Sequence, residues 1–221
     1  AMPHLAAAAI MLHTEADFAA RAAFLFAWGI LNFFFITVVR RPALSGALSL
    51  TLVVVLVLLS RLKHDIVQMT ANFLDLILID RDTAAYLFTI FPNLRWNVVL
   101  ACAVILPLMY ALWWLEPFRI RRLPAAAGLL GCLAGLSGVA FAWPDEAWRG
   151  YYDDGYLSKF ARSGVTAVSD FVSYGFIESE ALLAERLKVL PVDSCHVAGR
   201  RPHIILVHDE SSWDIRQAPG V

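Results

Sequence analysis

The chain of 221 residues is 59% hydrophobic and 17% charged, and its mean hydropathy is +0.63. A soluble domain is about 45–50% apolar and about 25% charged, so this composition excludes a disordered chain and argues against an ordinary soluble enzyme. With 18 Lys+Arg against 19 Asp+Glu the net charge is −1, which excludes a strongly basic nucleic-acid binder, and three cysteines (Cys102, Cys132, Cys195) are too few for a disulfide scaffold.

In chain order, the first apolar run, 5–12, is too short to span a bilayer. It has neither the basic region nor the cleavage site of a signal peptide. It reads as the end of a truncated first span or as an interfacial helix. Four later runs, 18–39, 43–60, 97–115 and 123–143, reach the roughly 20 apolar residues that cross about 30 Å of hydrocarbon. Only the first of them carries a charge, Arg21. A buried soluble helix of this length would show a polar face, so the expected fold is a polytopic α-helical membrane bundle of four full spans and one partial span, covering 1–143.

Arg40 and Arg41 connect the first two full spans, and Arg119, Arg121 and Arg122 connect the last two. Basic residues in short loops stay in the cytoplasm. Residues 61–96 and everything after 144 are then external. The loop 61–96 reads as interfacial, with short apolar stretches broken by Asp65, Asp75, Asp80 and Asp82. Arg61 and Lys63 at its start are either snorkelling charges or contacts to a lipid headgroup phosphate. Gly128, Gly131, Gly135 and Gly138 in the last span fit close helix packing, within the chain's own bundle or in a dimer.

Beyond Trp143 the composition turns polar and aromatic, as in an interfacial belt. The spacing of Leu157, Phe160, Ala161, Gly164, Val168, Phe171 and Val172 predicts an amphipathic helix. A second short helix is expected over 178–189 and a linker over 191–201. The external connector thus covers 144–201.

From Pro202 the pattern changes again. His203-Ile204-Ile205-Leu206-Val207-His208 reads as a buried strand, followed by Asp209, Glu210 and Ser211. Ligands bind at the carboxyl ends of strands in open α/β sheets, and carboxylate oxygens there suit a hard divalent cation. On the residues alone, a structural role for the acidic pair, with 211–214 capping a following helix, is the preferred reading.

The segment from Pro202 to Ser211 resembles the opening strand of the sulfatase-like/alkaline-phosphatase superfamily. It is most similar to the membrane-anchored branch: lipoteichoic acid synthases, phosphoglycerol transferases and phosphoethanolamine transferases. The layout of spans, external connector and strand resembles that branch too. The resemblance implies that 202–221 begins a sulfatase-like α/β catalytic domain, with Glu210 as a ligand of a divalent metal (Mn, Mg or Zn) and Asp209 as a second candidate ligand. It implies a nucleophilic Thr beyond Val221 and further Asp and His ligands later in the domain, so the 221-residue chain alone is expected to be inactive. The implied activity is transfer of a phosphoglycerol or phosphoethanolamine group from a phospholipid donor to a glycan or lipid acceptor, at the outer face of a bacterial inner membrane. Arg61 and Lys63 would hold the donor headgroup. The alternatives are a non-catalytic membrane scaffold or assembly subunit, or a sulfatase- or phosphatase-type hydrolase of the same superfamily.

Overall fold

A computed structural model describes residues 2–78, 81–144 and 155–174, and eight helices lie among these described residues. They are α1 (Met2–Thr14), α2 (Phe18–Val39), α3 (Pro42–Val67), α4 (Asp75–Leu78), α5 (Arg81–Ile90), α6 (Pro92–Leu115), α7 (Arg122–Ala142) and α8 (Leu157–Tyr174). Four of them, α2, α3, α6 and α7, are long and apolar enough to cross a membrane. Their outward surfaces carry large apolar side chains such as Leu25, Phe34, Leu58, Leu100, Leu106 and Leu130. Such a continuous exposed apolar surface is unsuited to water and suited to lipid. The protein is a multi-pass helical membrane bundle.

Local chemistry sets the helix ends. The Asp17 carboxylate accepts a hydrogen bond from the Ala20 amide at 2.6 Å and caps α2. Arg40 takes the left-handed conformation (φ 66°) that closes α2, and Pro42 opens α3 in the one turn where its missing N–H costs nothing. Gln68, also left-handed (φ 57°), closes α3. Pro92 opens α6, which continues through Pro107 to Leu115.

The segment 61–96, read as interfacial, holds the last turns of α3, then α4 and α5, and the start of α6. α3 keeps its helical hydrogen bonds through Arg61, Lys63 and Asp65 to Val67, and α6 starts at Pro92. Charges end an apolar run without ending a helix, because long side chains at a helix end reach the interface while the backbone stays bonded.

α1 runs antiparallel to α2, as its paired contacts show. His4 Nδ1 accepts from the Trp28 indole at 3.2 Å, and Pro3 lies against Gly46 near the start of α3. The run 5–12 thus packs lengthwise on α2 and α3 as a partial span. One core cluster joins Ala7, Phe24, Trp28, Val53, Val57 and Leu157; a second joins Ala23, Leu136 and Val139. Ser45 and Ser49, fully buried on α3, turn their hydroxyls back to the carbonyls of Arg41 and Ser45. α7 meets α2 through small residues: side chains at Gly128 and Gly135 would collide with the rings of Phe33 and Phe26, and Gly29 lies against Cys132. Gly131 and Gly138 face open space, so the glycine stripe splits between packing and non-packing positions.

The two arginine-bearing connections lie side by side. The Ile120 amide donates to the Arg40 carbonyl at 2.9 Å, and the Arg40 guanidinium reaches the Ile120 carbonyl at 3.4 Å. Glu116 accepts from the amides of Ala43 and Leu44 at 2.6 and 3.0 Å, capping α3 from another helix. The shared side that loop charge predicted for these connections matches this contact. The expected helix 178–189, the linker 191–201 and the strand segment 202–208 lie outside the described residues.

Candidate functional site

At the opposite end of the bundle, α8 is fastened by polar contacts that the apolar pattern alone would not supply. Glu15 sits in the turn between α1 and α2 and is buried. Its carboxylate accepts from the Ser158 hydroxyl at 2.5 Å and from the Ser158 amide at 3.4 Å, at the first turn of α8. Negative charge is favoured there by the helix dipole. Burial nevertheless pushes the Glu15 carboxyl up from its ordinary 4.5, and the bonds from Ser158 offset this only in part. The Arg21 guanidinium donates to the Glu15 carbonyl at 3.0 Å. Arg162, one turn into α8, donates to the Trp143 carbonyl just past the end of α7.

The segment after α3 is folded back onto α8. Ser60 accepts from the Ala71 amide at 2.9 Å, and Ser163 accepts from the Phe73 amide at 2.9 Å. The Phe73 ring packs on Phe160 with centroids 5.9 Å apart and fills the space beside Gly164. Here the two cations expected at the headgroup level take different roles. Lys63 Nζ pairs with Asp75 at 2.7 Å, and the same carboxylate accepts from the Asn72 amide. The Arg61 guanidinium lies 5.6 Å from the Tyr156 ring centroid, a cation–π contact, and has no carboxylate partner among the described residues. Between Pro42 and Arg61 the helix rises about 29 Å, close to the ~30 Å of a hydrocarbon core. Arg61 is therefore placed at headgroup depth once Pro42 is at the other interface.

Beneath these groups is a cavity of about 600 Å³. α2 contributes Ala27, Ile30 and Leu31, and α3 contributes Leu52, Val53 and Leu56. α7 adds Leu133, Leu136, Ser137 and Phe141, while Phe73 and the apolar side of α8 complete the wall. Its size falls in the range of about 300–1,000 Å³ typical of small-molecule sites. The lining is apolar apart from three serines, Ser137, Ser169 and Ser173. Such a surface selects hydrocarbon and disfavours ions and sugars.

Of the residues expected to act, Arg61 and Lys63 are both at this end of the bundle. Glu210 and Asp209 lie outside the described residues. Among the described residues no group of three or more His, Cys, Asp or Glu side chains stands together, so none of them assembles a metal site. Glu15 and Ser158 were not anticipated as a pair. The polar break Thr14-Glu15-Ala16-Asp17 between apolar runs was the available signal, but nothing in it names a partner on α8. The chain matches no family model, no curated protein and no solved structure.

Proposed function

We propose that this chain is the membrane portion of a metal-dependent transferase that takes a phosphoglycerol or phosphoethanolamine group from a phospholipid at the outer face of a bacterial inner membrane. The observation that carries this reading is the outer end of the bundle. An amphipathic helix is clasped there beside a cation at headgroup depth, and its apolar side walls an apolar cavity. In sequence, α8 leads on to the Pro202–Ser211 segment that resembles the sulfatase-like opening strand.

In this reading the bundle brings the catalytic domain to its substrate. Holding the reacting groups at the surface where the donor lies removes a translational search and raises their effective concentration. Arg61 supplies a phosphate-binding fork, and Lys63, already neutralised by Asp75, shapes the loop that carries Phe73. Glu210, with Asp209 beside it, would hold the divalent metal, which when bound polarises the phosphoryl oxygens. The acceptor is a glycan or a second lipid.

The test is turnover by the protein expressed from its own gene and kept in its own lipids. Vesicles carry a phospholipid labelled in both headgroup and glycerol backbone. The expected result is labelled diacylglycerol together with a headgroup joined to an acceptor, both abolished by a chelator and by Glu210→Gln. Absence of diacylglycerol above the protein-free blank overturns the transferase reading. Free labelled headgroup with no acceptor product favours the hydrolase instead.

A further inference from the structure

We infer that the cavity between α2, α3, α7 and α8 is a binding site for one acyl chain of a membrane phospholipid, whose phosphate is met by Arg61. The inference deepens the lipid-donor reading and rests on it for the fate of the headgroup, but the tail site stands on its own geometry.

Three observations fix the occupant. The first is the mouth. Leu133 and Phe141 on α7 and Val168 and Val172 on α8 line the cavity, and they are 42%, 63%, 55% and 78% exposed. The cavity therefore opens sideways between α7 and α8 through apolar side chains, and on a membrane-spanning helix such a mouth faces hydrocarbon. The second is depth. The lining reaches down α2 to Leu31, about 20 Å from Phe18, somewhat more than the ~15 Å of one leaflet's hydrocarbon. The third is charge at the upper end. Arg61 stands on Tyr156, the residue before the lining Leu157, and follows the lining Leu56 on α3 by about 7.5 Å of rise. A lipid whose tail fills the cavity has its phosphate near that guanidinium. A free hydrocarbon would leave Arg61 unused, and a polar ligand would leave the apolar walls unmatched.

The experiment uses the full protein in vesicles of its own lipids doped with a phosphatidyl lipid carrying a photoreactive diazirine midway along one acyl chain. After irradiation the cross-linked residues are mapped by peptide mass spectrometry. Helix α6 is the internal reference, because its apolar side chains are exposed along its length and report bulk lipid. Labelling of Leu136, Val165 and their neighbours is expected to exceed labelling of α6 by a factor of about ten, the ratio that 1.4 kcal/mol of preference gives. Ser137→Trp is expected to return that ratio to one, and Leu130→Trp, on the outward face of the same helix, to leave it unchanged. An unlabelled phospholipid competes, and a diacylglycerol with the same chains, which lacks the phosphate, competes at least about tenfold less well. Labelling no higher than on α6 overturns the site. Equal competition by the diacylglycerol overturns the assignment of Arg61 to the phosphate. Enriched labelling without diacylglycerol formation overturns the transferase and leaves the site standing.

Discussion

Glu15 is the buried acid that joins the turn before α2 to the start of α8. Burial raises its pKa, so the folded protein holds a proton there more tightly than the unfolded chain does. The sign follows by linkage: this contribution to stability is complete below 4.5 and declines as pH rises through the elevated value. The melting temperature in detergent should therefore fall over that interval, and Glu15→Gln should flatten the fall relative to wild type. Glu15→Ala removes the acceptor from a buried amide and hydroxyl, at a cost of about 1–3 kcal/mol. It should lower the melting temperature at every pH. Arg61 makes a different prediction. If it binds the donor phosphate equally in ground and transition states, Arg61→Ala raises KM for the lipid about tenfold, the loss expected for one charge-assisted hydrogen bond, and leaves kcat unchanged. Lys63→Ala should move KM less, since its charge is already committed to Asp75. The sequence showed both cations at a span's outer end, but not this difference. Lys63 meets Asp75 where residues 69–74 fold back onto α3 through Ser60 and onto α8 through Ser163, and no spacing rule encodes that return.

At the scale of elements, the spans were legible because the bilayer imposes a length. Uncharged runs of about 20 residues have few other uses, and they reappear as α2, α3, α6 and α7. The apolar stripe of α8 was equally legible, since helical spacing brings those side chains to one face. What seats α8 was not. Glu15 and Ser158 are 143 positions apart, and only the folded bundle joins them. The glycines of α7 also needed coordinates. All four read as one packing stripe, yet only Gly128 and Gly135 lie against α2. Gly135→Leu should cost about 1–3 kcal/mol by overpacking against Phe26. Gly138→Leu should stay within about 0.5 kcal/mol, as expected for a substitution into open space. Thermal unfolding of the two variants side by side in one detergent separates these positions.

For the whole molecule, the arrangement of ends is the main result. The connections bearing Arg40–Arg41 and Arg119–Arg122 meet at one end, while Glu15, Arg61 and the start of α8 gather at the other. Loop charge predicts the direction: the arginine connections are expected on the cytoplasmic side. With the native cysteines replaced by serine, Asp170→Cys on α8 should react with an impermeant maleimide added outside intact spheroplasts. Arg119→Cys should react only after permeabilisation. The reverse pattern would invert the topology and put the Glu15 end inside. The Pro202–Ser211 segment is the least legible part of the sequence, because a short strand-like motif acquires meaning only from the fold around it.

The fastening of α6 has a mechanical consequence. Among the described residues, its polar and ring contacts to the other spans are at the end where Glu116 holds Ala43 and Leu44 and Trp113 lies under Arg41 at 4.6 Å. Above them the helix presents Val104, Leu100 and Trp96 outward. A rod pinned at its base is a lever, and the arm from Glu116 to Trp96 is about 30 Å long. A tilt of a few degrees about that fulcrum leaves the base bonds intact and carries the tip sideways by ångströms. Lateral pressure in the bilayer acting on α6 is then expected to displace its far tip, with the Glu116 end as the fixed hinge.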